Sequence, residues 1–542
     1  MKRYSICCLL FCINYLCASA CTNFMAGKLA TTDGSILVSY AADSYSLYGF
    51  LRYSPATDYE AGAMRNITDW DTGRPLGQIP QVPHTYSVIG NMNEHQLVIG
   101  ETTYGGREEL YGENGIDYGS LIYIALERCQ TAREAIQCIT SLVEEYGYAS
   151  EGESFTIADT EEVWILELIG KGKTEKGAVW VAQRIPDDCV SAHANQARIT
   201  HIDFKDKKHK NFYWSKDVVS FARQKGWFDG KDAEFSFSDT YNPLDIVGLY
   251  ICEARVWSFF RQVNKEMENY YSYVIGQTKE RMPLYIKPDK LLSADDFKHF
   301  MRDHYENTPL DITQGSAAGP WHSKLRYGSL GYQLDSLQYW YQRPTATQQT
   351  GWSFVAQIRP NDPHAGIFWF GVDDAATTVY APFYSNVQAV PESMREGNGD
   401  LYTYSATSAW WTFNKVANWA YSKYSAMRPD IMRIQTQWEQ YFTEKLVPET
   451  DAAMVRMNNE EAAHYATNLC CKKADELTQS WNQLFEYLLV KYLDGQERKE
   501  TAEPADGKTF FQRNEWGEPV GPNRPAFPED FLRRIAPETL HE

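Results

Sequence analysis

Cys21-Thr22-Asn23-Phe24-Met25-Ala26-Gly27-Lys28 leads, through Asp33-Gly34, into Ser35-Ile36-Leu37-Val38-Ser39-Tyr40. Two short apolar runs on either side of an Asp-Gly are a hairpin signal, so a strand is expected to begin at residue 21. The residues just before it explain why a strand should start there. Lys2-Arg3, an apolar run from Ile6 to Cys17, and Ala18-Ser19-Ala20 have the layout of a secretory signal peptide. The apolar run is too short to span a bilayer, and cleavage after Ala20 would make Cys21 the first residue of an exported, periplasmic or secreted chain.

Such a terminus has chemistry of its own. An α-amine has a reference pKa of about 7.7 to 8.0, so near neutral pH it can accept the proton of a thiol on the same residue. In the uncleaved chain that nitrogen is a peptide amide without a basic lone pair. The competing use of a cysteine behind a signal peptide is lipid attachment, which would anchor the chain at Cys21. Lipid sites usually carry Leu three residues earlier, where this chain has Ala18, and they continue into a polar tether, where this chain runs into a strand.

The 542 residues carry a net charge of −19, with 43% hydrophobic and 14% aromatic side chains, enough apolar surface for a sizeable folded core. Acidity of this order repels phosphate backbones, and no basic patch stands against it, so nucleic acid is not an expected partner. No later stretch reaches 18 apolar residues, so no transmembrane segment is expected; a homo-oligomer is compatible with the sequence. Of 11 cysteines, four lie in the leader. The other seven form no CxxC or zinc spacing and read mostly as buried small apolar groups. His95, His193, His304 and His322 form no HExxH and no tight cluster, and no metal or cofactor is expected.

Further along, Tyr86–Gly90 and Leu97–Gly100 read as strands, and Ser120–Cys129 and Ala132–Tyr146 as helices. Phe155–Ala158, Val163–Leu168 and Ala178–Ala182 read as three successive strands. Asp245–Met267 reads as a helix, and Ser293 ahead of Asp295-Asp296 as the N-cap of another. Trp352–Ile358 and Gly366–Val372 return to strand character. Helical periodicity runs from Ala409 to Tyr492, with breaks expected near Arg428-Pro429 and Val447-Pro448. Strands, then helices, then strands again predict an α+β fold. The expected divisions are a signal peptide at 1–20, a main domain at 21–400, a helical C-terminal region at 401–499 and an irregular tail at 500–542.

Several blocks together resemble a known family. Cys21-Thr22, Gly27-Lys28, Ala30 to Ser35 and Asp43 look like the start of the dipeptidase and secernin family of N-terminal nucleophile hydrolases, relatives of bile salt hydrolase and penicillin V acylase. Asn93-Glu94-His95, Glu101-Thr102-Thr103, His193-Ala194-Asn195, Glu253 to Trp257, Met301 to Tyr305, Arg343 to Thr350 and Trp369-Phe370-Gly371 follow in order. The resemblance implies a four-layer αββα sandwich and a cysteine peptidase acting on dipeptides. It makes Cys21 the nucleophile and, through its amine, the general base. Asp43 would hold that amine, Asn195 would donate to the oxyanion, and Arg255 would be a distal active-site arginine. The related acylases have an arginine three residues before the aspartate, where this chain has Tyr40. Read without the family, Asp43 could cap a turn, Asn195 could bond its own backbone, and Arg255 could make a surface ion pair. Two other functions stay open: an acylase of N-acyl amides, and a lipid-anchored protein binding peptide or glycan.

Overall fold

A computed structural model describes residues 21–326, 330–360, 366–501, 511–518, 520, 523 and 525–538. The expected signal peptide lies outside the described residues, as does much of the expected tail. Inside that tail a short helix forms at Glu529–Ile535.

The opening strand, Thr22–Ala26, is buried along its whole length, and so is its partner, Ile36–Asp43. They pair antiparallel from Thr22↔Ala41 to Ala26↔Leu37. The connection between them is longer than a two-residue hairpin turn. Gly34 takes φ +75° beside Asp33, whose carboxylate accepts from the Ser35 amide at 3.0 Å. The loop is then fixed by a bridge between Thr31 and Leu292.

Around this pair the described residues build a seven-stranded sheet in the order Tyr285–Ile286, Val190–His193, Thr22–Ala26, Ile36–Asp43, Thr350–Ile358, Ile367–Val372, Ala381–Tyr384. A second sheet of eight strands runs Phe212–Trp214, Ala178–Ile185, Val163–Gly170, Gly152–Ala158, Val98–Tyr104, Met92–Asn93, Val88–Ile89, Tyr53–Ser54. All pairings within both sheets are antiparallel, so neighbouring strands need no crossover helices. The chain is α+β, as its sequence predicts.

The two sheets are joined by a polar seam. His193 holds Thr102 through Nδ1 at 2.7 Å and Thr156 through Nε2 at 2.8 Å, and Thr156 donates to Asn23 Oδ1 at 2.7 Å. Burial pushes the His193 imidazole down to about 3, so it sits there neutral, as a strut between sheets. Gly100 lets the sheets come this close, because a Cβ there would collide with Asn23 Nδ2. Gly100→Ala should therefore destabilise the fold by about 1–3 kcal/mol, the usual cost of overpacking, seen as a lowered midpoint of thermal unfolding. An unchanged midpoint would mean that the seam is loose.

Helices Tyr118–Arg128 and Ala132–Tyr146 pack on the eight-stranded sheet, sharing a core of Leu121, Ile124, Ile136, Ile139, Phe155, Trp164 and Leu166. The second of them has a complete capping box, Thr131 with Glu134. Ser293 and Asp296 form another at Ala294–Phe300, where the sequence places an N-cap. Helices Ala409–Tyr421 and Asn459–Lys491 pack on strands of the seven-stranded sheet, and Phe413, Leu477 and Trp481 belong to one apolar cluster with Phe354 and Phe368.

The helical breaks differ from expectation. The helix Tyr424–Gln440 contains Pro429, and Pro448 sits in the first turn of Val447–Met454. A π-turn at Tyr441–Leu446 precedes Pro448; its altered ladder accommodates a residue that lacks the amide donor. The interruptions fall instead near Ser422-Lys423 and before Asn458, which caps the long helix Asn459–Lys491.

Candidate active site

Cys21 stands at the end of the opening strand, 1% exposed. Extending the register with Ile36–Asp43 by one residue places Ala42 opposite it on one side, and extending that with Val190–His193 by two residues places Asn195 on the other. Its thiol is 3.3 Å from the Tyr40 hydroxyl. The same hydroxyl donates to Glu101, which comes from the other sheet. The position where the acylases carry arginine thus holds a phenol that links the thiol to a buried carboxylate.

Burial pushes the Cys21 thiol well above the usual range, and the charges of Glu101 and Asp43 push it the same way. The Tyr40 hydrogen bond and the Asp43 backbone amide pull against this and do not reverse it. The sulfur is therefore protonated near neutral pH, and nucleophilic attack needs a group that accepts its proton.

Asp43 is fully buried at the end of the second strand. It caps no turn: Thr350 donates to Oδ1 and Arg343 to Oδ2, each at 2.6 Å. Arg343 is 1% exposed and also donates to the Pro344 carbonyl at 2.6 Å. An ion pair this deep is held by geometry, and removing one partner strands the other charge.

Arg255 is no surface ion pair either. It lies fully buried in the helix Ala254–Val263, just after a π-turn at Gly248–Glu253. Where the backbone ladder changes from that turn to a regular helix, the Ile251 carbonyl accepts from Arg255 Nε at 2.9 Å. The guanidinium then reaches the Cys21 carbonyl at 2.6 Å, the Thr22 hydroxyl at 2.8 Å and Asn195 Oδ1 at 2.9 Å. Burial, and then the nearby Arg343, lower its pKa from the usual arginine range.

Asn195 is partly exposed, with φ +62°, a left-handed conformation that asparagine tolerates. Its Nδ2 donates to the Thr103 carbonyl at 2.6 Å, on a strand of the other sheet rather than on its own backbone. All four residues singled out from sequence therefore converge on one strand end. Arg255 ties the Cys21 carbonyl to Asn195, and Asp43 lies close enough to act on the thiol.

Sequence reasoning assigned no role to Arg343, Thr350, Glu101 or Glu153. The first three lie in blocks that carry the family resemblance, which was the available signal. Glu101 and Glu153 are 3% and 0% exposed on adjacent strands. Burial raises both carboxyls, Glu153 the further because Glu101 lies beside it, so the pair holds a proton between them at neutral pH. Thr103 donates to Glu153 Oε2 at 3.0 Å. Tyr40 and Glu101 also help to line a cavity with Ala42, Trp70, Asn91, Tyr118, Ile122, Tyr123 and Trp352.

A buried thiol beside buried charges, with an aromatic cavity next to it, makes this strand end the candidate active site. The profile of peptidase family C69 matches residues 20–437, and the chain belongs to that family; it is a peptidase. It is similar to a probable dipeptidase of Latilactobacillus sakei, 25% identical over 85% of this chain and 96% of the relative. A probable dipeptidase of Salmonella dublin is 25% identical over 68% and 82% of the two chains. A probable dipeptidase A of Streptococcus pyogenes serotype M3 is 23% identical over 76% and 85%. The resemblance drawn from the sequence blocks is borne out.

Proposed function

We propose that the protein is an exported dipeptidase in which Cys21, freed at its amine by removal of residues 1–20, is both nucleophile and, through that amine, general base. One observation carries this reading: a thiol held protonated by burial lies at the very start of a central strand, where a free α-amine would put a proton acceptor on the same residue. The residues around it suit the parts required. The amine takes the thiol proton, sulfur attacks the peptide carbonyl, and the resulting ammonium protonates the leaving nitrogen. Water then hydrolyses the thioester.

Asn195 offers a side-chain amide to the oxyanion, a role that needs one of its two amide hydrogens there in the transition state. Arg255 fixes the Cys21 carbonyl, and with it the direction of the thiol. Asp43, braced by Arg343 and Thr350, supplies the negative charge that favours the ammonium. The fold that goes with this chemistry is the four-layer αββα sandwich of N-terminal nucleophile hydrolases, spanning residues 21–400 with a helical region at 401–499. The names of the relatives support dipeptides as substrates, and a periplasmic or secreted location follows from the reading of the leader.

The test is hydrolysis by the protein purified with its native terminus. Dipeptides should be cleaved in preference to N-acyl amides of bile-salt or penicillin type; the reverse preference makes it an acylase. The role of Asp43 has its own signature. Asp43→Asn removes a charge that favours the ammonium, so the amine loses its proton more easily. The acidic limb of the kcat/KM profile, where the amine must be free, should move to lower pH, and the Arg343 cation, no longer offset by Asp43, pushes the same way. An unmoved limb would mean that Asp43 does not act on the amine.

A further inference from the structure

The cavity beside Cys21 is mostly aromatic, yet it contains one buried acceptor that no described residue satisfies and one buried carboxylate that shares a single proton with its neighbour. Asn91 and Glu101 both line it; Asn91 Oδ1 is buried without a hydrogen-bond donor, and Glu101 bonds to Glu153 and Cys21 as well as to Tyr40. Neither residue is loose: Glu101 is 3% exposed and Asn91 2%. The other end of each is committed, Glu101 Oε1 to the Tyr40 hydroxyl and Asn91 Nδ2 to the Ile99 carbonyl at 2.7 Å. Buried acceptors left unmet each carry a desolvation penalty, and most such atoms in folded proteins have partners.

We propose that this cavity is the recognition site for the free α-ammonium of the substrate, with Glu101 as its anionic contact and Asn91 as a neutral one. The inference rests on the dipeptidase reading and narrows it to substrates with an unblocked amine. An ammonium is a compact cation with three donors and no acceptor, which suits a pocket offering acceptors and one carboxylate. Trp70, Tyr118, Tyr123 and Trp352 wall off this polar end from bulk water, which strengthens the attraction between a carboxylate and a bound cation.

The spacing agrees with an amine-directed peptidase. In a dipeptide the amine nitrogen lies two bonds, about 2.5 Å, from the scissile carbonyl carbon. That carbon must come to about 3–3.5 Å from sulfur for attack. The ammonium site must then lie within roughly 6 Å of Sγ. Glu101 lies near enough to hold an ammonium inside this limit, its Oε1 being one hydrogen bond beyond the Tyr40 hydroxyl, which is 3.3 Å from Sγ. An N-acylated substrate would bring a single amide hydrogen and a carbonyl oxygen to the same place, where the oxygen would face a carboxylate.

The experiment compares an alanyl dipeptide with its desamino counterpart, the propionyl amide of the same second residue, on wild-type enzyme, Glu101→Gln and Glu101→Asp. Wild type should prefer the free amine by about 10- to 150-fold in kcat/KM, mainly through KM, the range for one hydrogen bond to a charged group. Glu101→Gln, which keeps an acceptor for Tyr40, should lose that preference, slowing the dipeptide far more than the desamino substrate. Glu101→Asp should retain part of it. Wild type that cleaves the dipeptide but treats both substrates alike overturns the inference without touching the dipeptidase reading. So does a Glu101→Gln enzyme slowed equally on both, which would place Glu101 in thiol tuning through Tyr40. If wild type cleaves no dipeptide at all, the dipeptidase reading fails and this inference fails with it.

Discussion

Cys21→Ser should lower kcat by roughly 10³-fold or more while the protein still folds and is still exported. Serine keeps the shape of the side chain, so the hydrogen bond to Tyr40 and the Arg255 contact to the residue 21 carbonyl can persist. The nucleophile changes. A hydroxyl is ionised far less readily than a thiol, and the same surroundings that hold the Cys21 sulfur protonated would hold a serine oxygen protonated more firmly. The α-amine, with a pKa of about 7.7 to 8.0 in reference peptides, is then too weak a base to compensate. The check is single-turnover and steady-state hydrolysis of a dipeptide beside a thermal melt. A serine enzyme with near wild-type turnover would remove Cys21 from the chemistry.

The second large effect concerns the nitrogen. A protein that retains residues ahead of Cys21 should be inactive, with kcat lowered by roughly the 10²- to 10⁴-fold that a positioned base contributes. The retained peptide bond converts an amine into an amide, which cannot accept the thiol proton. Nothing else described around the sulfur is suited to the task. Glu101 shares a proton with Glu153, Tyr40 is itself raised by burial and by its charged neighbours, and His193 is spent between the sheets. The extension must be verified by mass at the end of the assay, so that self-processing is excluded. Full activity with the extension intact would mean that another base serves Cys21.

What the sequence revealed depended on whether the signal was local. The opening strand, the helices at Tyr118–Arg128 and Ala132–Tyr146 and the N-cap at Ser293 are written in short periodic patterns and turn chemistry, and they appear close to where they are read. Cys21, Asp43, Asn195 and Arg255 came from spaced blocks, and they meet at one strand end. The partners of those residues were not legible. Arg343 lies 300 positions from the Asp43 it pairs with, and no period or motif links the two. Glu101 and Glu153 look like ordinary polar positions in two strands, until the sheet sets them side by side and burial makes them costly. No break falls at Pro448 because a π-turn, invisible to residue propensities, changes the ladder just before it, and Pro429 is carried inside its helix.

The central claim is that Cys21 carries the acyl group of the substrate during turnover. It is tested most directly by mixing the native enzyme with a dipeptide, quenching in acid within a turnover, and identifying the N-terminal fragment by mass spectrometry. The account predicts a fragment that begins at Cys21, bears no lipid, and is heavier by the first residue of the dipeptide. A turnover-competent enzyme whose Cys21 fragment stays unmodified, or is already blocked by lipid or by residues ahead of it, would contradict the account.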